Sequence, residues 1–223
     1  MSETSASDVR SHHGKFQRGN ESVPGSPSGV RPVVDESSPI RDVLSLHPVI
    51  ASIKDEDGLR AVLHAPCPVV FVLFGSVMSI HNIVATLKSA GKTVFVDVDL
   101  LDGFSSKPIA VEFLKAHTQV DGVLSSKSIM VRAAKTAGLL AVHRLFLVDS
   151  FSYNNVSKQV KISEPDAIMI LPGCMPRVIS WVRTNTDLPL IAGGLVCDKA
   201  DVMAALSAGA SAIASSNRYV WLM

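Results

Sequence analysis

Aromatic residues are scarce in this 223-residue chain, at 5% of the total, and no excess of positive charge accompanies them. Lysine and arginine number 21 against 20 aspartates and glutamates, which leaves a formal net charge of +1 at pH 7. Proteins that coat nucleic acid without sequence preference derive their affinity mainly from neutralising phosphates with cations. The balanced charge excludes that class of protein, although it leaves room for a small, specific RNA contact.

Cysteine is also scarce, and long apolar runs are missing. Cys67, Cys174 and Cys197 are odd in number, far apart and without the spacing of metal ligands, so we interpret them as small core residues in a reducing compartment. No apolar run reaches membrane-spanning length, and the N-terminus lacks the apolar stretch of a signal peptide. These absences predict a cytoplasmic protein that makes no contact with a membrane.

Several motifs that carry chemistry are missing as well. The sequence has no His/Cys cluster for zinc, no serine nucleophile elbow and no P-loop. It also lacks the paired Glu/His constellation of metal-assisted phosphodiester hydrolysis. We therefore predict no metal site, no cofactor and no catalytic residues.

Residues 1–40 differ in composition from the rest of the chain. They are rich in Ser, Gly, Pro and charge, and VPGSPSG (23–29) cannot supply a packed core, so we predict a disordered tail. Positive and negative charges nearly cancel there, which is not typical of a basic arm. His12 and His13 fit a solvated pair better than a metal site.

From Pro48 onward, short apolar runs alternate with stretches of helical periodicity. The eight runs are VIASI (49–53), VVFVLF (69–74), TVFVDVD (93–99), GVLSS (122–126), LAVHRLFLVD (140–149), AIMILPG (167–173), LIAGG (190–194) and AIASSN (212–217). Near-continuous Val, Ile, Leu and Phe are typical of parallel strands that are covered on both faces. Between them, predicted helices such as 77–90 and 127–137 are followed by Gly91 and Gly138, where C-caps belong.

Eight strands with intervening helices favour an α/β fold of the (β/α)₈ TIM-barrel type, formed by residues 41–223 as a single domain. An open doubly wound sheet is the alternative. Only NRYVWLM follows the eighth strand, so the last helix must be short. The segment 40–46 is predicted to close the bottom of the barrel.

The segment LIAGGLVCDKADVMAALSAGASAIASSN (190–217) carries the strongest functional signal. Small residues end two successive strands, where they let a ligand approach free backbone N–H groups. In TIM barrels the loops after strands seven and eight are the usual phosphate site. The predicted phosphate-binding residues are Gly193, Gly194, Ser215, Ser216 and Asn217.

Polar and small residues at the other strand ends predict a shared barrel mouth. The predicted mouth residues are Lys54, Asp99, Lys127, Arg144 and Gly173. Asp99 interrupts an apolar strand, and Arg144 lies within another, where an unpaired charge is very costly and a partner or ligand is required.

Ordinary structural explanations compete for several of these positions. Lys54 and Lys127 equally fit solvated lysines at helix starts. Asp97, which shares a strand face with Asp99, fits a satisfied core carboxylate, and His143 fits a hydrogen-bonded structural histidine.

Taken together, these stretches resemble the glycerol-3-phosphate responsive antiterminator family of bacterial glycerol operon regulators. The resemblance runs from about His47 to Met223 and is carried by HPVIASIKD (47–55), FVLFGSVMSI (71–80), GKTVFVDVDLLDGFSS (91–106), DGVLSSK (121–127), GLLAVHRLFLVDS (138–150), ILPGCMPRVI (170–179) and the terminal block 191–223. It implies a catalytically silent barrel that binds glycerol 3-phosphate as effector and then leader mRNA of glycerol-utilisation operons, preventing transcription termination. Matching positions imply that Gly193, Gly194, Ser216 and Asn217 hold the phosphate.

The chain departs from the family pattern in two places. Met169 stands where the resemblance leads us to expect a glutamate, which weakens hydroxyl recognition or changes the effector and removes a candidate general base. The N-terminal extension is longer than expected. The alternative function is a phosphosugar-converting TIM-barrel enzyme that uses Asp99 and a lysine as acid–base groups. A phosphate sensor that signals through protein contacts is a third hypothesis, and the oligomeric state, homo-oligomers included, stays open.

Overall fold

The computed structural model describes residues 39–223, in which helices and strands alternate from end to end. The strands are β1 (Val49–Ile53), β2 (Val69–Val72), β3 (Thr93–Asp97), β4 (Gly122–Ser125), β5 (Leu140–Phe146), β6 (Ala167–Leu171), β7 (Leu190–Gly193) and β8 (Ala212–Ser215). The helices are α1 (Pro39–Leu46), α2 (Glu56–Val62), α3 (Ile80–Ser89), α4 (Pro108–His117), α5 (Ser128–Thr136), α6 (Ser150–Asn154), α7 (Val156–Ser163), α8 (Pro176–Arg183) and α9 (Lys199–Ser207), followed by a 3₁₀ turn at Val220–Leu222.

The eight strands close into a parallel barrel in chain order. Each strand pairs with the next, and β8 pairs with β1 through Val49↔Ile213 and Ile50↔Ala214. Closure confirms the predicted (β/α)₈ barrel and rules out the open sheet. The C-terminal ends of all eight strands therefore meet at one end of the barrel, which is the mouth.

The alternating pleat of the strands divides the buried residues into two cores. One fills the barrel and includes Phe71 and Phe95, whose rings meet edge to face with centroids 5.6 Å apart. The other lies between the strands and the surrounding helices. Ile40 and Leu44 of α1 pack against the inner core at the bottom of the barrel, the place predicted for segment 40–46.

Local backbone signals in the sequence correspond to observed helix ends. Gly91 and Gly138 follow α3 and α5 with φ of +73° and +71°, the left-handed conformation that glycine adopts at C-caps. Helix α3 begins at Ile80, three residues later than predicted, because Ser79 Oγ accepts a 2.9 Å hydrogen bond from the N–H of Ser76 and stabilises a turn there.

The predicted tail lies outside the described residues, as do His12 and His13. Only Pro39 and Ile40 of the segment 1–40 are described, and both belong to α1. Between residues 39 and 223, no helix combines the length and the apolar character that crossing a membrane requires.

Candidate functional site

A cavity of about 310 Å³ opens at the mouth of the barrel. Its lining combines small, polar and apolar residues from seven strand ends: Ser52, Leu73, Leu124, Arg144, Met169, Leu171, Gly194, Leu195, Val196, Cys197, Ala214, Ser215, Ser216 and Asn217. A larger groove of about 720 Å³ lies on the outside between α4 and α5. We place the candidate site at the mouth because backbone donors and a buried cation converge there.

The structure brings together half of the residues that the sequence predicted for the site. Arg144, Gly194, Ser215, Ser216 and Asn217 line the cavity. Most of these belong to the two loops predicted to hold phosphate, so the two loops do face one space.

The other predicted residues lie outside the cavity lining: Lys54, Asp99, Lys127, Gly173 and Gly193. Lys54 follows the end of β1 and is exposed. Lys127 is about half exposed, and its Nζ lies 3.6 Å from Asp99 Oδ1. Asp99 and Lys127 thus form part of a polar cluster beside the cavity.

The loop after β7 has an unusual backbone. Gly194 has a φ of +73°, and Leu195 follows with +57°, although a leucine pays roughly 1–2 kcal/mol for that conformation. The backbone N–H groups of Gly194, Leu195 and Ser216 find no acceptor among the described residues. These unpaired donors at one end of the cavity suit an anion.

Gly173 and Gly193 serve packing in the described structure. A Cβ on Gly193 would lie 2.1 Å from Met169 Cε, and one on Gly173 would lie 2.6 Å from the backbone nitrogen of Gly193. The N–H of Gly173 donates a 2.9 Å hydrogen bond to the carbonyl of Gly194. Their missing side chains therefore bring strands β6 and β7 close together and position the Gly194 loop.

Ser215 and Asn217 use their side chains to connect the two loops. Ser215 Oγ donates to the carbonyl of Val196 at 2.8 Å, and Asn217 Nδ2 donates to the carbonyl of Cys197 at 2.6 Å. Asn217 Oδ1 accepts from the N–H of Tyr219 at 3.0 Å. These side chains shape the cavity wall, which leaves the main chain and Ser216 as the donors that face the ligand space.

Arg144 is the buried cation of the site. Its guanidinium pairs with Asp97 Oδ2 through Nη1 and lies 3.3 Å from Asp99 Oδ2 through Nη2. Its Nε is buried and has no hydrogen-bond partner; among the described residues only Arg41 Nε shares that condition. An orphaned donor on a cavity-lining cation is a place where a ligand oxygen would be stabilised.

Asp99 is surrounded by donors. It accepts hydrogen bonds from Ser125 Oγ at 2.9 Å and from the backbone N–H and hydroxyl of Ser126 at 2.6 and 2.8 Å. Burial alone would raise the pKa of Asp99, but these hydrogen bonds and the charge of Lys127 together hold it below its ordinary value. Asp99 is therefore an ionised anchor that holds Arg144 and the start of α5.

Asp97 is fully buried, and its titration differs. Burial raises the pKa of Asp97 to about 6, against the attraction of Arg144 and with the help of the negative charge on Asp99. Asp97 therefore fits the structural explanation given above, a core carboxylate that has its partner within the protein. His143, also fully buried, hydrogen-bonds Ser163 Oγ at 2.8 Å through Nδ1, and burial lowers its pKa, so its predicted structural role is confirmed.

Sequence reasoning overlooked several lining residues. Ser52 points inward on β1 and is 5% exposed, and its hydroxyl has no hydrogen-bond partner among the described residues. Ser52 and Lys54 are two residues apart, which places them on one face of an extended strand, but Lys54 lies beyond the end of β1 and only Ser52 lines the cavity. Leu195 and Cys197 carry no sequence signal for a site, since only the path of the loop brings them there.

Comparison with known proteins agrees with the sequence resemblance. A family model described as "Glycerol-3-phosphate responsive antiterminator" matches residues 49–221. The uncharacterized protein YgcP of Escherichia coli (strain K12) is 46% identical over 185 residues, which cover 83% of this chain and 97% of that protein.

Solved structures include two similar proteins with related names. The glycerol uptake operon antiterminator regulatory protein from Listeria monocytogenes str. 4b F2365 superposes with a TM-score of 0.75 at 26% identity, covering 86% of this chain and 97% of that one. A glycerol uptake operon antiterminator-related protein from Thermotoga maritima MSB8 gives a TM-score of 0.71 at 31% identity, covering 79% and 99%.

Enzymes share the fold at lower identity. Orotidine 5'-phosphate decarboxylase from Pyrococcus horikoshii OT3 has a TM-score of 0.60 at 16% identity, over 78% of this chain and 95% of that one, which shows a common barrel and no more. The family model and the Thermotoga maritima relative, in contrast, confirm the predicted resemblance. The chain belongs to the glycerol-3-phosphate responsive antiterminator family.

Proposed function

We propose that this protein is a cytoplasmic transcription antiterminator of glycerol metabolism. Glycerol 3-phosphate binds in the mouth cavity, and the loaded protein binds the leader mRNA of a glycerol-utilisation operon. One observation carries the proposal: several hydrogen-bond donors without an acceptor surround the same cavity. They are the backbone N–H groups of Gly194, Leu195 and Ser216 and the Nε of Arg144. The family description names glycerol 3-phosphate and antitermination, which supports this choice of effector and of an RNA target.

The phosphate lies against the two loops in this proposal. A dianion there accepts hydrogen bonds from the N–H groups of Gly194, Leu195 and Ser216, and charge-assisted bonds of this kind are about twice as strong as neutral ones. Gly173, Gly193, Ser215 and Asn217 support the loops, as their contacts within the protein suggest.

The glycerol end then faces the centre of the cavity, where Ser52 and Arg144 are available. Asp99, one of the predicted mouth residues, has both of its oxygens occupied by protein donors. We therefore assign it the role of holding Arg144 toward the ligand. Lys54 and Lys127 lie at the rim, outside the cavity lining.

Catalysis is not part of this proposal. A general base needs a free oxygen within reach of substrate, and the oxygens of Asp97 and Asp99 are held by Arg144 and by the two serines at the end of β4. Met169 adds no titratable group to the cavity. The enzyme alternative predicts turnover of triose or glycerol phosphates in a phosphorus NMR time course, with loss of turnover in Asp99→Asn.

Two measurements test the regulatory function. Calorimetry with the full chain should detect binding of glycerol 3-phosphate and none of glycerol, because the backbone donors require the phosphate. Gel-shift titration with the transcribed leader of the host's glycerol-utilisation operon should show tighter binding in the presence of glycerol 3-phosphate. Absence of RNA binding both with and without effector would refute the proposal, as would turnover in the NMR time course.

A further inference from the structure

One side of the barrel carries positive charge without acidic neighbours on its own helices. Helices α6, α7 and α8 contain Lys158, Lys161, Arg177 and Arg183 and no aspartate or glutamate. Scattered along the sequence, these cations fit an ordinary solvated face. The fold gathers them on consecutive helices of one side.

Most of these cations remain unpaired. Within residues 39–223, Lys158, Lys161 and Arg177 form no ion pair, whereas Arg183 donates to the carbonyls of Thr186 and Leu188. The cations of the neighbouring α5 are neutralised, since Arg132 pairs with Glu164 and Lys135 with Asp166. The α6–α8 side therefore keeps a local positive charge that the balanced total conceals.

Aromatic side chains stand beside one of these cations, Arg177. The Arg177 guanidinium lies over the Trp181 ring, with Cζ 4.9 Å from the centroid, and the rings of Tyr153 and Trp181 are 5.9 Å apart. Phe151 is 77% exposed and Trp181 44% exposed. Asn185 Nδ2 donates a 2.8 Å hydrogen bond to the Tyr153 hydroxyl and fixes that ring.

A cleft of about 270 Å³ separates the start of α6 from α8. Tyr153, Val178 and Trp181 line it, together with Met175 and the β5–α6 loop. The acidic residue in its wall, Asp149, is the N-cap of α6, where its Oδ1 accepts from the N–H of Ser152 at 2.7 Å. Flat apolar walls beside a cation suit an unstacked nucleobase, which binds to proteins through aromatic rings and arginine guanidinium planes.

We propose that the cluster of Tyr153, Arg177 and Trp181, together with the exposed Phe151 of α6 and Lys158 of α7, binds single-stranded segments of RNA; these five residues are here called the α6–α8 patch. The inference rests on the proposed function and gives it a location. The patch supplies both stacking platforms and phosphate-binding cations. The barrel mouth does not offer the same charge, since Lys54 is followed directly by three acidic residues at 55–57.

The patch is also connected to the effector cavity. Strand β5 carries Arg144 and Phe146, whose ring lies 5.5 Å from Arg144 Cζ, and it leads directly into α6. Strand β6 carries Met169 and Leu171 of the cavity wall and leads into α8. An effector in this cavity thus contacts the two strands that lead into the helices of the patch. If the effector and the RNA favour the same arrangement of these strands and helices, binding of the effector raises the affinity for RNA.

Substitutions in the full chain test the location. Phe151→Ala and Arg177→Gln should each weaken effector-dependent binding of the leader RNA by about five- to a hundredfold, because each removes a stacking surface. Lys158→Gln should lower the slope of log affinity against log salt by about 0.7, since it removes one phosphate contact to a single strand. Tyr219→Ala, at an 80% exposed aromatic, and Lys115→Gln, at an exposed lysine of α4, are matched controls and should leave RNA binding unchanged.

Calorimetry with glycerol 3-phosphate separates the two levels of inference. All five variants should bind the effector like the original protein. If the original protein binds the RNA and the patch variants bind it equally well, the proposed location of RNA binding is wrong and the proposed function still holds. Failure of the original protein to bind the leader RNA would refute both. Ultraviolet crosslinks should map to the peptides of α6 and α8, and crosslinks confined to other peptides would also overturn the patch.

Discussion

Replacement of the buried carboxylate Asp97 should change how the stability of the protein depends on pH. Asp97 is 0% exposed, and burial raises its pKa from 3.8 to about 6. A carboxyl group whose pKa is raised by folding stabilises the folded state most below its unfolded pKa, and that stability is lost as pH rises through the folded pKa. Stability from this group should therefore fall between about pH 4 and 6 and stay level above.

The size of the effect follows from the shift. A shift of about two pKa units changes the free energy of unfolding by about 3 kcal/mol in total as the pH rises. About 2 kcal/mol of this change should fall between about pH 4.5 and 7.5. Asp97→Asn abolishes this dependence. The amide resembles the protonated carboxyl that predominates well below pH 6, so it removes an ion pair with Arg144 only at the higher pH values, and linkage already includes that difference.

Urea unfolding of both proteins across that pH range measures the prediction. The stability gap, taken as the free energy of unfolding of the original protein minus that of Asp97→Asn, should decrease by about 2 kcal/mol between about pH 4.5 and about pH 7.5. The lowered pKa of the buried His143 acts in both proteins and cancels in the gap. Asp149→Asn is the control, because hydrogen bonds from Ser152 lower the pKa of Asp149, and its gap should stay flat over this range. A gap that widens with rising pH would show that Arg144 outweighs burial and would refute the reasoning.

Further predictions concern the effector cavity. Gly194→Ala and its control Gly91→Ala both place alanine at a φ of +73°, and each should lower the free energy of unfolding by about 1 kcal/mol in thermal unfolding. Only Gly194→Ala should weaken glycerol 3-phosphate binding in calorimetry, by about tenfold or more. Equal affinities of the two variants would show that Gly194 is not part of the site. Ser52→Ala should reduce affinity about fivefold with an unchanged melting temperature, because its hydroxyl has no partner in the described structure; full affinity would show that the ligand does not reach β1. Met169→Glu should raise the affinity for glycerol 3-phosphate relative to ethyl phosphate, since a carboxylate accepts hydrogen bonds from hydroxyls, and an unchanged ratio would mean that this position does not contact them.

The fold could be predicted because its signals are local. Eight apolar runs at regular intervals require burial on both faces, and glycines such as Gly91 and Gly138 mark helix ends through backbone conformation alone. The phosphate loops were predictable for a related reason: in this fold, chain order dictates which strand ends are neighbours.

The sequence could not predict in the same way which polar side chains have hydrogen-bond partners within the protein and which are available to a ligand. Asp99 and Lys54 were assigned to the ligand from their charge, yet Asp99 is saturated by Ser125 and Ser126 and Lys54 extends past the strand end. Ser52 carried no charge and was passed over. Hydrogen-bond partners depend on distances across the barrel, and these distances are not encoded in the spacing of residues along one strand.

By itself, therefore, the sequence determined the barrel, the helix that covers its bottom at 40–46 and the two small-residue loops at its mouth. These features depend on periodicity and backbone conformation, which are set by residues close together in the chain. Only the tertiary structure decided which donors stay unpaired at Gly194, Leu195 and Arg144, and which cations on α6–α8 lack a carboxylate. The physical reason is that hydrogen bonds and ion pairs join residues far apart in the chain, so their completion or absence becomes visible only when the strands and helices are packed together.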